Sequence, residues 1–159
     1  MPKQATRDVV ISETMQALRR IIKALQDYSQ KVSQQFGITG PQLWALKTLS
    51  QNGDLSLGEL SKRMYLHPST ITGLVDRLEK KDLVSRRREE KDRRVITIHL
   101  TSKGTSLVRK APHPIQGKMV YGLRRLKKHE LHSIFNAVQK LTEIMEAQHV
   151  KATFFFDQE

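Results

Sequence analysis

Between residues 15 and 36, Met15, Leu18, Ile22, Leu25, Val32 and Phe36 fall on a 3-4-3 spacing interrupted only at Ser29. Sustained over three heptads, that spacing predicts one long helix with a narrow apolar stripe, stopped by Gly37. So narrow a stripe suits packing against another long helix; packing on the chain's own domain is the alternative. Residues 39–42, TGPQ, read as a capping box with Pro in the first turn, and Leu43, Leu46 and Leu49 follow at helical spacing up to Gly53. Residues 56–59, SLGE, form a second capping box, opening a short helix with Leu60 and Met64 on its inner face. A third helix follows, in which Pro68 sits in the first turn, where a missing N–H is harmless. Its apolar residues Ile71, Leu74, Val75 and Leu78 take one side; Ser69, Thr70, Thr72, Gly73, Asp76, Arg77 and Lys80 are left for the other.

After Leu83 and Val84 the period changes. Ile96, Ile98 and Leu100 alternate with polar residues as a half-buried strand should, and the charged run RRREEKDRR at residues 86–94 separates two strand candidates. The pattern is strand, basic tip, strand. Thr101 caps a further helix, which the PHP at residues 112–114 must kink or break. Helical spacing resumes at Ile115, Met119 and Leu123. A last helix carries Leu131, Ile134, Val138, Leu141 and Met145, with Phe135 and Ile144 widening its stripe. The end of the chain brings Phe154, Phe155 and Phe156, a sticky terminus unless they pack on something.

Charge narrows the choice of partner. Lys plus Arg number 28 against 16 acidic residues, a formal charge of +12 and a pI near 10.2. Such a balance favours polyanions, with nucleic acid ahead of an anionic membrane surface. The absence of cysteine removes disulfides, thiolate nucleophiles, Cys-based zinc sites and cysteine-oxidation switches. No apolar run approaches the roughly 20 residues of a membrane span, and the N-terminal stretch lacks a secretory pattern, so the expected location is cytoplasmic. His129 and His132 can share a helical face, but no third ligand stands at a recognisable spacing, and no metal or cofactor is expected. A Gly-rich phosphate loop, a nucleophile elbow and a paired-acid arrangement are all missing, which points away from an enzyme.

Two short helices joined by a few residues, the second with an apolar face and a face of small polar residues, suit a helix-turn-helix. Ser, Thr and Gly let backbone approach a groove closely, and hydroxyls bond to phosphates or base edges. Arg77 reaches phosphate or guanine, and Lys62, Arg63 and Lys80 can add phosphate contacts. A basic strand-tip-strand directly behind this pair makes a winged helix. Residues 55–104 resemble the winged-helix core of the MarR family of bacterial transcriptional regulators: STITGLVDRLEKKDLVSR is similar to its recognition helix and following strand, and DRRVITIHLT to its wing motif. The resemblance extends more weakly through ITGPQLWALKTL to the terminal helices. Asp82 stands where the family usually has Gly, and Asp tolerates a left-handed backbone better than most residues.

The resemblance implies a mainly α fold with a small β-hairpin wing: a winged helix-turn-helix core at residues 39–104, between long dimerisation helices at residues 1–38 and 105–159. It further implies that Asp92 braces Arg94 for the minor groove, with Arg86, Arg87, Arg88, Lys91 and Arg93 along the phosphates. Pro68, Ser69, Thr70, Thr72, Gly73 and Arg77 would line the recognition surface. The bland alternative for the tip is a solvated charged turn. The implied partners are double-stranded DNA with a pseudo-palindromic operator, a second copy of the chain, and a small aromatic or phenolic acid as effector. Arg19, Arg20, Tyr28, Trp44, Met64 and His67 are its candidate wall. The competing functions are a nonspecific architectural DNA-binding protein and a helical module for an acidic protein partner.

Overall fold

The computed structural model describes residues 6–89 and 94–152. In chain order these form α1 (Arg7–Phe36), α2 (Gly40–Asn52), β1 (Leu55–Ser56), α3 (Leu57–Met64), α4 (Pro68–Lys80), β2 (Val84–Arg88), β3 (Ile96–Leu100), α5 (Ser102–Lys110), α6 (Ile115–Arg125) and α7 (Lys128–Ile144). Local chemistry sets most of the boundaries. Helix α1 stops at Gly37, which adopts φ 64° and returns its N–H to Ser33. Both capping boxes close: Thr39 with Gln42 at α2, and Ser56 with Glu59 at α3. The Ser56 backbone N–H and hydroxyl, aided by Arg63 and Lys62, hold the Glu59 carboxyl below its ordinary pKa against a small opposing effect of burial. Asp82 turns the chain into β2 with φ 58°, the left-handed conformation expected of it. The proline-rich stretch breaks the chain between α5 and α6, with Pro114 as the N-cap of the second.

The sheet is antiparallel and ordered β1-β3-β2. Ile98 lies opposite both Leu55 and Arg86, so the hairpin expected from the alternating pattern acquires a third strand. His99 reinforces that edge: its Nδ1 lies 2.8 Å from the Asp54 carboxylate and its Nε2 2.9 Å from the Thr97 hydroxyl.

One core unites these elements. Leu43, Leu46, Leu60, Met64, Ile71, Leu74, Leu78, Leu83 and Ile98 are fully buried in it. Its α4 members are the four apolar residues picked out by their spacing. The α1 stripe divides along its length. Val32 is fully buried in the chain's own core, with Tyr28 and Phe36 packed against it, whereas Met15 and Ile22 are exposed. Only the N-terminal half is therefore available to a partner helix. Helix α7 buries no residue at all; Ile134, Phe135, Val138 and Met145 face outward.

Helix α5 fixes the back of the wing. Thr101 donates its hydroxyl to the Asp82 carbonyl at 2.7 Å, and its N–H to the Leu83 carbonyl. Gly104 lies so close to β2 that a Cβ there would stand 2.1 Å from the Leu83 carbonyl oxygen. At the other end of α5, Lys47 of α2 donates to the carbonyls of Val108 and Ala111 at 2.7 and 2.9 Å. Burial pulls that ammonium below its usual pKa, yet it meets the carbonyl end of a helix, where a cation is favoured.

Candidate nucleic-acid interface

Helices α3 and α4 meet through Tyr65, Leu66 and His67. His67 N-caps α4: its ring Nδ1 accepts from the Ser69 N–H at 3.3 Å and lies 2.8 Å from the Ser69 hydroxyl. His67 thus shapes the tip of the recognition helix. Ser69 and Thr72 are exposed, as their spacing requires, and Thr72 back-bonds to the Pro68 carbonyl at 3.0 Å. A Cβ at Gly73 would meet the Arg77 guanidinium at 3.9 Å, an ordinary contact distance. Pro68 is exposed at the start of this surface. Thr70 is half-buried, and its hydroxyl oxygen is buried without a hydrogen-bond partner.

The wing stands beside this helix. Arg87, Arg88 and Arg94 are exposed on it. Lys91, Asp92 and Arg93, with the brace between Asp92 and Arg94, lie outside the described residues.

Arg86 requires a correction. The resemblance implies a place for it along the phosphates, but its guanidinium donates to Glu79 and Asp76 of α4, each at 2.5 Å. Its backbone N–H also donates to the second Glu79 oxygen at 3.2 Å. The two carboxylates raise its pKa, against the opposing effect of burial, which is the largest single influence. Alternation along β2 turns Arg86 to the helix side of the sheet and leaves Arg87 outside. Arg86 therefore clamps the wing to the recognition helix. Asp76 and Glu79, three residues apart on one helix face, were the cue to this pairing.

A cavity of about 410 Å³ opens behind the interface, between α2, the α3–α4 turn, α6 and Leu131 of α7. Trp44 and Met64, two of the six residues named for a ligand wall, line it; Tyr65, Gln116 and Arg124 line it without having been singled out. The other expected wall residues lie elsewhere. Arg19 and Arg20 are exposed on α1, with Arg20 bonded to Gln16. Tyr28 packs beneath α6 beside Gly40 and the Ile115 backbone, and burial pushes its phenol up to about 12. His67 caps α4.

A sequence profile of the MarR family matches residues 38–96, the stretch from just before α2 to the first residue of β3. An uncharacterized HTH-type transcriptional regulator of Bacillus subtilis, YsmB, is 38% identical over 98 residues, covering 62% of this chain and 67% of that protein. The HTH-type transcriptional repressor MdtR of the same organism is 35% identical over 97 residues, 61% of this chain and 63% of its own length. A MepR-like protein crystallised with pseudoligands shares 34% identity, covers 84% of this chain and 94% of its own, and superimposes with a TM-score of 0.57. The matched segment contains the α4–β2 unit clamped by Arg86 and two of these relatives carry the names of HTH-type transcriptional regulators, so the chain belongs to the MarR family, whose members are DNA-binding transcriptional regulators and not enzymes.

Proposed function

We propose that this regulator works as a homodimeric repressor that reads a pseudo-palindromic operator and releases it when a small aromatic or phenolic acid enters the cavity behind α4. The observation that carries the reading is the joining of two DNA-directed surfaces in one unit: the exposed Ser69 and Thr72 of α4, and the basic β2–β3 wing, tied through Arg86. Side by side, such surfaces suit adjoining grooves, with the helix in the major groove and Arg94 in the minor. Arg88 and Arg93 then follow the backbone.

Dimerisation is supported by apolar surface that the chain leaves uncovered. Val10, Met15 and Ile22 of α1, with Ile134, Phe135 and Val138 of α7, are all at least 43% exposed, more than a lone domain ordinarily shows in two long helices. Residues 1–38 and 105–159 serve as the dimer arms and residues 39–104 as the reading unit. A two-fold pair sets its recognition helices about 34 Å apart, one turn of duplex. Trp44 in the cavity wall supports a flat ring as effector, and a repressor among the relatives supports the sign of regulation. The location is the cytoplasm, where the operator is.

The test is a gel shift on DNA upstream of the chain's own coding region, with excess random duplex and with and without a panel of aromatic acids. A specific regulator retains one fragment against competitor by a factor of about 10³ or more. Equal loss from every fragment would instead establish the architectural reading, which the charge of +12 favours. No shift even at low salt would leave a protein-interaction module.

A further inference from the structure

The corner between α6 and α7, from Arg124 to His132, holds four Lys and Arg residues, two histidines and one acid. That acid, Glu130, is used at the corner itself, where its carboxylate accepts the Lys127 backbone N–H at 2.8 Å. Arg124, Arg125, Lys127 and Lys128 are all exposed, and among the described residues none of the four makes an ion pair.

Charge alone would mark a solvated corner, but these arginines are also held in place. Arg125 donates to the Tyr121 hydroxyl at 2.8 Å, with its guanidinium 5.4 Å from the centre of that ring. Arg124 donates twice to the Tyr65 hydroxyl, at 3.1 and 2.8 Å, and stands 5.7 Å from the Tyr65 ring. Two neighbouring guanidiniums are thus braced by exposed phenols instead of carboxylates. Their positions are fixed while no acid compensates their charge, so an anionic partner has less side-chain ordering to impose.

Position identifies the partner. Tyr65 ends α3, two residues before the His67 cap of α4, so Arg124 sets the corner beside the first turn of the recognition helix. A groove of about 230 Å³ opens there, lined by Arg63 of α3 and by Arg124 together with Gln51, Asn52 and Tyr121, and by no carboxylate. Two cations and two side-chain amides are donors of the kind that phosphate oxygens accept from. The wing is tied to the opposite half of α4, at Asp76 and Glu79. Positive surface therefore continues past α4 at both of its ends.

We infer that the α6–α7 corner is a third DNA-contacting surface, which follows duplex phosphates on the side of α4 away from the wing. Arg63 and Arg124 hold a phosphate in the groove, and Arg125 and Lys128 hold the next ones along. This rests on α4 entering the major groove. A duplex carries one charge per about 1.7 Å of its axis, so a surface continuous with α4 meets phosphates wherever it lies against the DNA. Part of the dimer arm thereby adds affinity without adding base preference.

The experiment is a fluorescence-anisotropy titration of the full chain with a random-sequence duplex of about 30 base pairs, over a series of salt concentrations; such a probe reports backbone contacts without an operator. Arg125→Gln combined with Lys128→Gln lowers the slope of log affinity against log salt by about two, and the affinity at low salt about tenfold. Arg109→Gln combined with Lys110→Gln removes the same charge from the exposed end of α5; it leaves the slope unchanged and the affinity within about twofold. Arg125→Lys keeps the charge and the slope. All these variants melt with the wild type, because every replaced side chain is exposed. An unaltered slope in the corner variant would overturn the inference and leave the corner to an acidic protein partner. An equal loss in the α5 variant would overturn it too, by reducing the effect to net charge. Wild-type protein that fails to bind the duplex even at low salt would sink the DNA-binding reading and the inference with it.

Discussion

Replacing Arg86 by Gln separates a clamp from a phosphate contact. The wild-type guanidinium makes two short charge-assisted bonds, to Asp76 and Glu79, while its side chain is 25% exposed. Bonds to charged groups contribute about 1.5–3 kcal/mol each when sheltered, and exposed ion pairs about 0.2–1 kcal/mol. The two carboxylates are 49% and 40% exposed, so an intermediate value of roughly 1 kcal/mol per bond is appropriate. Arg86→Gln should then destabilise the protein by about 2 kcal/mol, or roughly 4–8 °C in Tm at fixed protein concentration. Urea denaturation measures the first, and a double-mutant cycle with Glu79→Gln measures the coupling directly. DNA titrations at several salt concentrations supply the decisive readout. A residue that touches phosphate lowers the salt slope by about one when removed; a residue that only holds the wing in place lowers affinity and leaves the slope alone. Unchanged stability together with a reduced slope would refute the clamp and return Arg86 to the phosphates.

Other outcomes are expected at separate points of the fold. Arg94→Ala should weaken operator binding by about 1–3 kcal/mol in a gel shift while sedimentation still reports a dimer. Leu18→Arg, on the half-exposed part of α1, should yield a monomer by sedimentation and abolish tight operator binding. Gly104→Ala should cost about 3 kcal/mol in denaturant, because the added Cβ meets the Leu83 carbonyl, and the shifted β2 should weaken DNA binding too. Glu59 has a depressed folded pKa, so its contribution is complete above the ordinary glutamate value and is lost as pH falls through the folded one. Glu59→Gln should therefore flatten the acid limb of a stability-against-pH profile and leave its alkaline side unaltered.

The helices and their ends were legible because their causes are local. A capping box needs four consecutive residues, and Thr39 to Gln42 and Ser56 to Glu59 carry theirs in plain view. The same holds for the apolar face of α4, repeated over three turns. Strand β1 was not legible: two residues, Leu55 and Ser56, have no period, and only Ile98 far along the chain makes them a strand. Side-chain direction at the site was partly hidden for a related reason. In RRREEKDRR every arginine looks alike, and only the pleat against α4 separates Arg86, which faces the helix, from Arg87 on the opposite face. Thr70 fell on the polar side by type although its hydroxyl is buried. Tyr65 and Arg124 are 59 positions apart, so no spacing rule connects them.

Strand β1 makes the wing part of a plate rather than a loose finger. It enters the sheet from the α2–α3 link, Arg86 rivets the opposite edge to α4, and Gly104 presses α5 onto the back. Bending one piece alone would tear several of these joints at once. The plate is held at its margins too, where Lys81 donates to the Gly37 carbonyl and Lys47 to the Ala111 carbonyl, both at 2.9 Å. Under the proposed function, a change in the distance between half-sites would then have to move the plate whole, leaving the face that meets the bases unaltered.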